Sequence, residues 1–233
     1  MKEKHIEQGV FVAVSLLCLI AFTWGFVSIV EEWRENEIAQ FDNGVFDIVR
    51  GTISPKLTEI MTVITFLGGI KGITIFTGCA VTILLLMKKY PLALFVTITI
   101  LTGAGFNGLL KWIFKRDRPD IEALIQQGGY SFPSGHSMSS FIFYGSLAFI
   151  LFRALDRNRY KWASVILVAM LVLMIGMSRI YLGVHYPSDI VGGFTAGGAW
   201  LTLCITIYMY FYKRKHWRED EDEVMHAKNA QES

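Results

Sequence analysis

Apolar residues in this sequence come in long runs, with the polar residues gathered in the gaps between them. Six runs stand out, at residues 9–30, 57–87, 91–114, 138–152, 162–178 and 190–212. About 20 such residues, helical and apolar around the whole circumference, cross a hydrocarbon core of about 30 Å. The run at 57–87 is over-long and is interrupted by Gly68, Gly69 and Lys71, so its membrane part is expected to begin near Thr65. The run at 138–152 is short, but the small polar residues ahead of it can extend the helix. The first run outlasts the apolar core of a signal peptide and ends at Val30-Glu31-Glu32-Trp33 without a small-residue cleavage site, so it is expected as a retained anchor. The pattern predicts an all-α integral membrane protein with six transmembrane helices in one bundle. That bundle takes residues 1–217 and leaves 218–233 as a polar cytoplasmic tail.

Composition agrees. Of 233 residues, 53% are hydrophobic and only 18% charged, against about 25% charged in a soluble domain. The mean hydropathy is +0.43. A net charge of +2 offers no domain-wide basic footprint, which argues against nucleic acid as a partner. The three cysteines, Cys18, Cys79 and Cys204, all fall inside apolar runs, with neither a disulfide framework nor metal-ligand spacing. The small-residue pairs Gly68/Gly72 and Gly193/Gly197 suit close helix packing.

Charge asymmetry sets the expected orientation. With the N-terminus inside, the inner segments hold Lys2, Lys4, Lys88, Lys89, Arg153, Arg157, Arg159, Lys161, Lys213, Arg214, Lys215 and Arg218. The outer segments hold Arg34, Arg50, Lys56, Lys115, Arg116, Arg118 and Arg179. The excess lies inward, as the positive-inside rule requires, and both termini are then cytoplasmic. The third outer segment is itself basic, which draws attention to it.

Three polar clusters fall on that outer side. The first runs from Lys111 to Arg118-Pro119; Lys111 and Arg118 are two turns apart and share a face if the helix continues that far. The second is Phe132-Pro133-Ser134-Gly135-His136-Ser137, ahead of the fourth run. There Ser134 is a suitable N-cap, Gly135 admits close approach to the backbone, and free N–H groups favour an anion. The third runs from Ser178-Arg179 through His185 to Asp189, with Pro187 suited to the first position of a helix. Asp189 can then reach back to His185, fix its tautomer and leave its other nitrogen as a nucleophile or base. Alone, these clusters read as a headgroup grip, a turn with a cap, and a structural His–Asp pair. Together, two histidines, a carboxylate and three cations beside a helix N-terminus fit phosphoryl transfer.

The ordered pattern K-x6-R-P, P-S-G-H and S-R-x5-H-x3-D resembles the signature of the type 2 phosphatidic acid phosphatase superfamily. Residues 41–69 are similar to its bacterial phosphatidylglycerophosphatase B branch. The resemblance implies a membrane lipid phosphatase of six helices that needs no metal and no cofactor. It implies that His185 attacks phosphorus to form a phosphohistidine, that Asp189 orients it, and that His136 protonates the leaving group. Lys111, Arg118, Ser134, Gly135 (through its N–H) and Arg179 would hold the phosphoryl oxygens.

The expected enzyme sits in the cell membrane with its site outward. It acts on a lipid phosphate in the bilayer, with no obligate protein partner. Phosphatidylglycerophosphate is the first substrate expected and undecaprenyl pyrophosphate the alternative. Residues 31–56, with Trp33, Phe41 and Phe46, are expected as an interfacial flap. The pattern D-x-D-x-V at 220–224 lies in the tail without a preceding strand and is set aside; Asp117 and Asp120, flanked by basic residues, make a poor Mg²⁺ site. A transporter or flippase is the reading of a different class. It would call for discontinuous helices and polar groups at the midplane, where only Lys71 is a candidate.

Overall fold

The computed structural model describes residues 2–35 and 37–232, with side chains for 9–35, 37–212 and 214. His5, His216, His226 and the acidic stretch of the tail therefore lie outside the described side chains. The described elements are all helical: α1 (Lys2–Arg34), α2 (Ala39–Arg50), α3 (Pro55–Gly68), α4 (Ile70–Leu86), α5 (Tyr90–Phe114), α6 (Gly135–Ala154), α7 (Asn158–Tyr181) and α8 (Pro187–Glu232). Five are long and apolar enough to cross a membrane, and α3 and α4, bent by 52° at the break between them, are long and apolar enough only when taken together.

Helix α6 lies at the centre, touching α3, α4, α5, α7 and α8, while α1 packs mainly on α8. Its buried side combines small polar residues with the large apolar Met138, Ile142 and Phe143. Ser137, Ser140 and Ser146 are fully buried; Ser146 Oγ donates to the Ile142 carbonyl at 2.7 Å, so its hydroxyl needs no outside partner. Large apolar side chains such as Leu17, Trp24 and Leu167 also face outward, as expected where lipid is the solvent and close packing holds helices together. Gly193 of α8 shows how close the contact is: a Cβ there would lie 2.7 Å from the Ser134 carbonyl and 2.8 Å from the Ser137 Cβ. The fourth apolar run is extended at its N-terminus to Gly135, capped by Ser134, whose side chain accepts from the Ser137 N–H.

The structure adds detail in three places. The second run is helical from Pro55 and is broken at Gly69, whose extended backbone separates α3 from α4. The break frees carbonyls, and α6 satisfies them: Tyr144 Oη donates to the Leu67 carbonyl at 3.0 Å and Ser139 Oγ to that of Gly68 at 3.0 Å. Lys71, just beyond the break, is exposed. Secondly, α5 stops at Phe114, because Lys115 adopts a left-handed conformation (φ 47°) and its N–H closes on the Lys111 carbonyl. Lys111 and Arg118 therefore do not share a helix face; Arg118 lies in the following loop. Thirdly, residues 39–50 of the expected flap form the helix α2. Phe46 is buried against Ile180 and Ile190, and Trp33 stacks on Phe132 at 6.0 Å, leaving Phe41 exposed.

Candidate active site

The loop after α5, the start of α6 and the turn between α7 and α8 meet at one end of the bundle. They enclose a cavity of about 340 Å³. Lys111, Arg118, Gly135, His136 and His185 line its polar part. Ile70, Ile73, Ile100, Leu101, Met138 and Ile142, from α4, α5 and α6, line the rest. One chamber thus joins two histidines and two cations to an apolar passage between helices.

His185 sits in the short turn before α8 and is almost wholly buried. Because Pro187 opens α8, Asp189 falls in the first helical turn, four residues on. His185 Nδ1 is 3.3 Å from Asp189 Oδ2 and 3.3 Å from Ser131 Oγ. Ser131 Oγ also donates to Asp189 Oδ2, and the Tyr186 N–H donates to the same oxygen at 2.9 Å. With Nδ1–H directed at the carboxylate, Nε2 carries the lone pair, and Arg118 Nη1 stands 3.3 Å from it. Burial holds the His185 imidazole far below its usual range, at about 4. The hydrogen bond and charge of Asp189 pull it upward, while the Arg179 and Arg118 guanidinium groups oppose them. The ring is neutral at physiological pH, as a nucleophile must be.

The cations are held by backbone carbonyls and amide groups. Lys111 Nζ donates to Tyr130 and Ser131 carbonyls at 2.5 and 3.2 Å, which leaves one of its three protons unassigned. Arg118 donates to the carbonyls of Gly128, Gly129 and Val184 at 2.9, 2.9 and 2.6 Å. Burial lowers the Arg118 pKa from its ordinary value, offset in part by Asp189. Arg179 is buried behind the cavity, reaching Thr65 Oγ1 and Gln127 Oε1 at 2.6 Å each. Its Nε is buried with no hydrogen-bond partner. A buried donor of that kind calls for an acceptor, and a phosphoryl oxygen is one.

His136, in the first turn of α6, faces the bend of the broken span. Its Nε2 is 3.2 Å from where a Cβ would stand on Gly69, so a side chain there would crowd the imidazole. Ser134 does not line the cavity. It is fully buried, its N–H donates to the Asp189 carbonyl at 3.0 Å, and its Oγ accepts from the Ser137 N–H and hydroxyl. It ties the second cluster to the third and keeps its own hydroxyl proton to donate. The sequence reading missed Ser131, Gln127, Thr65, Arg116 and Asp42. Only Arg116 had a signal, as a member of the basic segment.

The sequence profile of the PAP2 superfamily matches residues 91–213, which contain all three clusters. The chain belongs to the PAP2 superfamily. Among PAP2 proteins it is 31% identical over 169 residues to phosphatidylglycerophosphatase B of Bacillus subtilis (strain 168), covering 71% of this chain and 80% of that one. It is 33% identical over 74 residues to an undecaprenyl-diphosphatase of Sulfolobus acidocaldarius, covering 32% and 31%. The fold matches the crystal structure of a transmembrane PAP2 type phosphatidylglycerolphosphate phosphatase from Bacillus subtilis. There the TM-score is 0.77 at 26% identity, over 84% of this chain and 96% of that one. The protein is thus a multi-pass integral membrane PAP2 phosphatase, a hydrolase acting on membrane lipid substrates. Of the two classes carried from the sequence, phosphatase is the one these likenesses support.

Proposed function

We propose that this PAP2 phosphatase hydrolyses phosphatidylglycerophosphate to phosphatidylglycerol and phosphate, without a metal, through a phosphohistidine on His185. The observation that carries the reading is the shared cavity. Its cations and histidines suit a phosphomonoester, and its apolar passage between α4, α5 and α6 suits the chains of a lipid that stays in the bilayer. The similarity to phosphatidylglycerophosphatase B supports the choice of headgroup.

In this mechanism His185 Nε2 attacks phosphorus as the bond to the glycerol oxygen breaks, and His136 gives its proton to that oxygen. His136 then takes a proton from water, whose oxygen attacks phosphorus; the N–P bond breaks and phosphate leaves. Lys111, Arg118, Arg179 and the Gly135 N–H hold the oxygens, while Ser134, expected from the sequence to share that role, ties the Gly135 turn to Asp189. Their fixed dipoles and charges stabilise the five-coordinate transition state. Arg118 has to release His185 Nε2 when substrate enters, and its guanidinium then turns to the phosphoryl group. Residues 1–217 form the phosphatase domain and 218–233 a cytoplasmic tail. The site opens on the outer face of the cell membrane, as the charge asymmetry of the segments suggests.

Phosphate release from purified lipid phosphates, with and without EDTA, tests the proposal. Turnover of phosphatidylglycerophosphate is expected to survive chelation, and its loss with recovery on adding Mg²⁺ would overturn the metal-free step. The likeness to an undecaprenyl-diphosphatase favours a second reading, carrier-lipid pyrophosphate hydrolysis. Faster turnover of undecaprenyl pyrophosphate in the same panel would reverse the order.

A further inference from the structure

We propose that Asp42 and Arg116 form a positioning relay behind Asp189, which sets the orientation and strength of the His185 nucleophile from a helix outside the signature clusters. The inference rests on the reading of His185 as the nucleophile.

Arg116 bridges two buried carboxylates. Its Nη1 donates to Asp189 Oδ1 at 2.8 Å and its Nη2 to Asp42 Oδ2 at 2.9 Å. All three groups are nearly or fully buried, with relative exposures of 8% for Arg116, 2% for Asp42 and 0% for Asp189. Ser188 closes the ring: its N–H and hydroxyl donate to Asp42 at 2.8 and 2.7 Å, and Arg116 Nη1 lies 2.7 Å from its Oγ. The guanidinium is fixed from its faces by Tyr186 at 4.1 Å and Trp33 at 5.4 Å. Asp189 is thus held at Oδ1 by Arg116, leaving Oδ2 for His185, Ser131 and the Tyr186 N–H.

The chemistry follows from how charge is shared. A lone buried arginine on Asp189 would draw off its charge and weaken its hold on the imidazole. Asp42 takes up part of that positive charge, so Asp189 keeps a strong acceptor at Oδ2. Removing Asp42 leaves Arg116 paired with Asp189 alone, removing Arg116 leaves two buried carboxylates without their cation, and removing both keeps the net charge of the cluster. Neither residue touches the cavity that holds His136 and His185, so both act through Asp189.

Other charged groups face the same pair. Arg118 and Arg179 act on His185, as does His136 across the cavity. Lys111 acts on Asp189, and Asp117 reaches Tyr186. None of these changes in the variants below.

The test is the pH dependence of kcat/KM for purified enzyme in lipid micelles, with Asp42→Asn, Arg116→Gln and the double variant. Asp42→Asn removes a negative charge, disfavours the imidazolium and is expected to move the acid limb to lower pH. Arg116→Gln removes a positive charge and is expected to move it to higher pH. In the double variant the limb returns close to the parent position. Each is expected to lower kcat by about ten- to a hundredfold, as when a partner that orients an active group is lost, with KM little changed. Equal limbs in both single variants, or losses confined to KM, would overturn the relay.

If the single variants do not fold, the double variant decides, because it keeps the net charge of the cluster: parent kcat in a folded double variant would also overturn it. His185→Ala is run beside them. Full activity in that variant would remove the nucleophile itself, an outcome distinct from failure of the relay.

Discussion

Asp189 carries the narrowest margin in the site. Three donors converge on its Oδ2, from His185, Ser131 and the Tyr186 N–H. In Asp189→Asn the amide nitrogen either faces those donors, which frees the His185 tautomer, or turns toward Arg116, another donor, and in both cases the charge beside the imidazole is lost. A loss of about 10⁴-fold in kcat is expected, the size seen where a carboxylate that orients a catalytic imidazole becomes an amide; a loss under tenfold would contradict the role. The His185 ring also fixes a pH expectation. Its folded pKa of about 4 lies below the ordinary 6.5. The ring therefore stays neutral as pH falls through 6.5 and protonates only near 4. The acid limb of kcat/KM is expected nearer 4 than 6.5, and half-loss of activity already at pH 6.5 would count against it. The same shift destabilises the fold in acid: stability from burying the neutral ring is full above about pH 6.5 and declines as pH falls toward 4. At this scale the sequence revealed His136, His185, Asp189, Lys111 and Arg118 because their chemistry sits at fixed short spacings. It did not reveal the Asp42–Arg116 pair, whose members are 74 residues apart and meet only by folding.

Among the elements, α6 and α8 position the chemistry by their closeness. Gly193 faces the Ser134 carbonyl and Ser137 Cβ at distances no real Cβ takes. Gly193→Ala must push the N-terminus of α6, and with it Gly135 and His136, away from the His185 turn. Overpacking of this kind costs about 1–3 kcal/mol, and the thermal midpoint and kcat should fall together. Gly78→Ala, with open space around its Cβ position, should leave both near the parent values. Equal behaviour of the two would contradict the packing account. The runs of apolar residues made the six spans legible, because hydrophobic length is a local property. The interruption at Gly68-Gly69 was legible too, but the early stop at Phe114 was not, for it depends on one residue's backbone. Carbonyls at the break are satisfied from α6, and α5 ends where Lys115 turns left-handed.

For the whole molecule, orientation follows from topology: the loop between α5 and α6 and the turn before α8 share one side, and the loop before α7 lies on the other. In a background without native cysteines, a thiol reagent that cannot cross the membrane is expected to label Gln126→Cys in intact cells and not Asn158→Cys. Labelling in the reverse order would turn the site inward. The central claim is that His185 itself carries the phosphoryl group, and it can be read directly. Enzyme turning over radiolabelled phosphatidylglycerophosphate in EDTA is stopped rapidly with base, which preserves phosphohistidine, and its peptides are analysed. The account predicts acid-labile label on the peptide containing His185, absent in His185→Ala. Label on another residue, or turnover of lipid by His185→Ala at the parent rate, would contradict it.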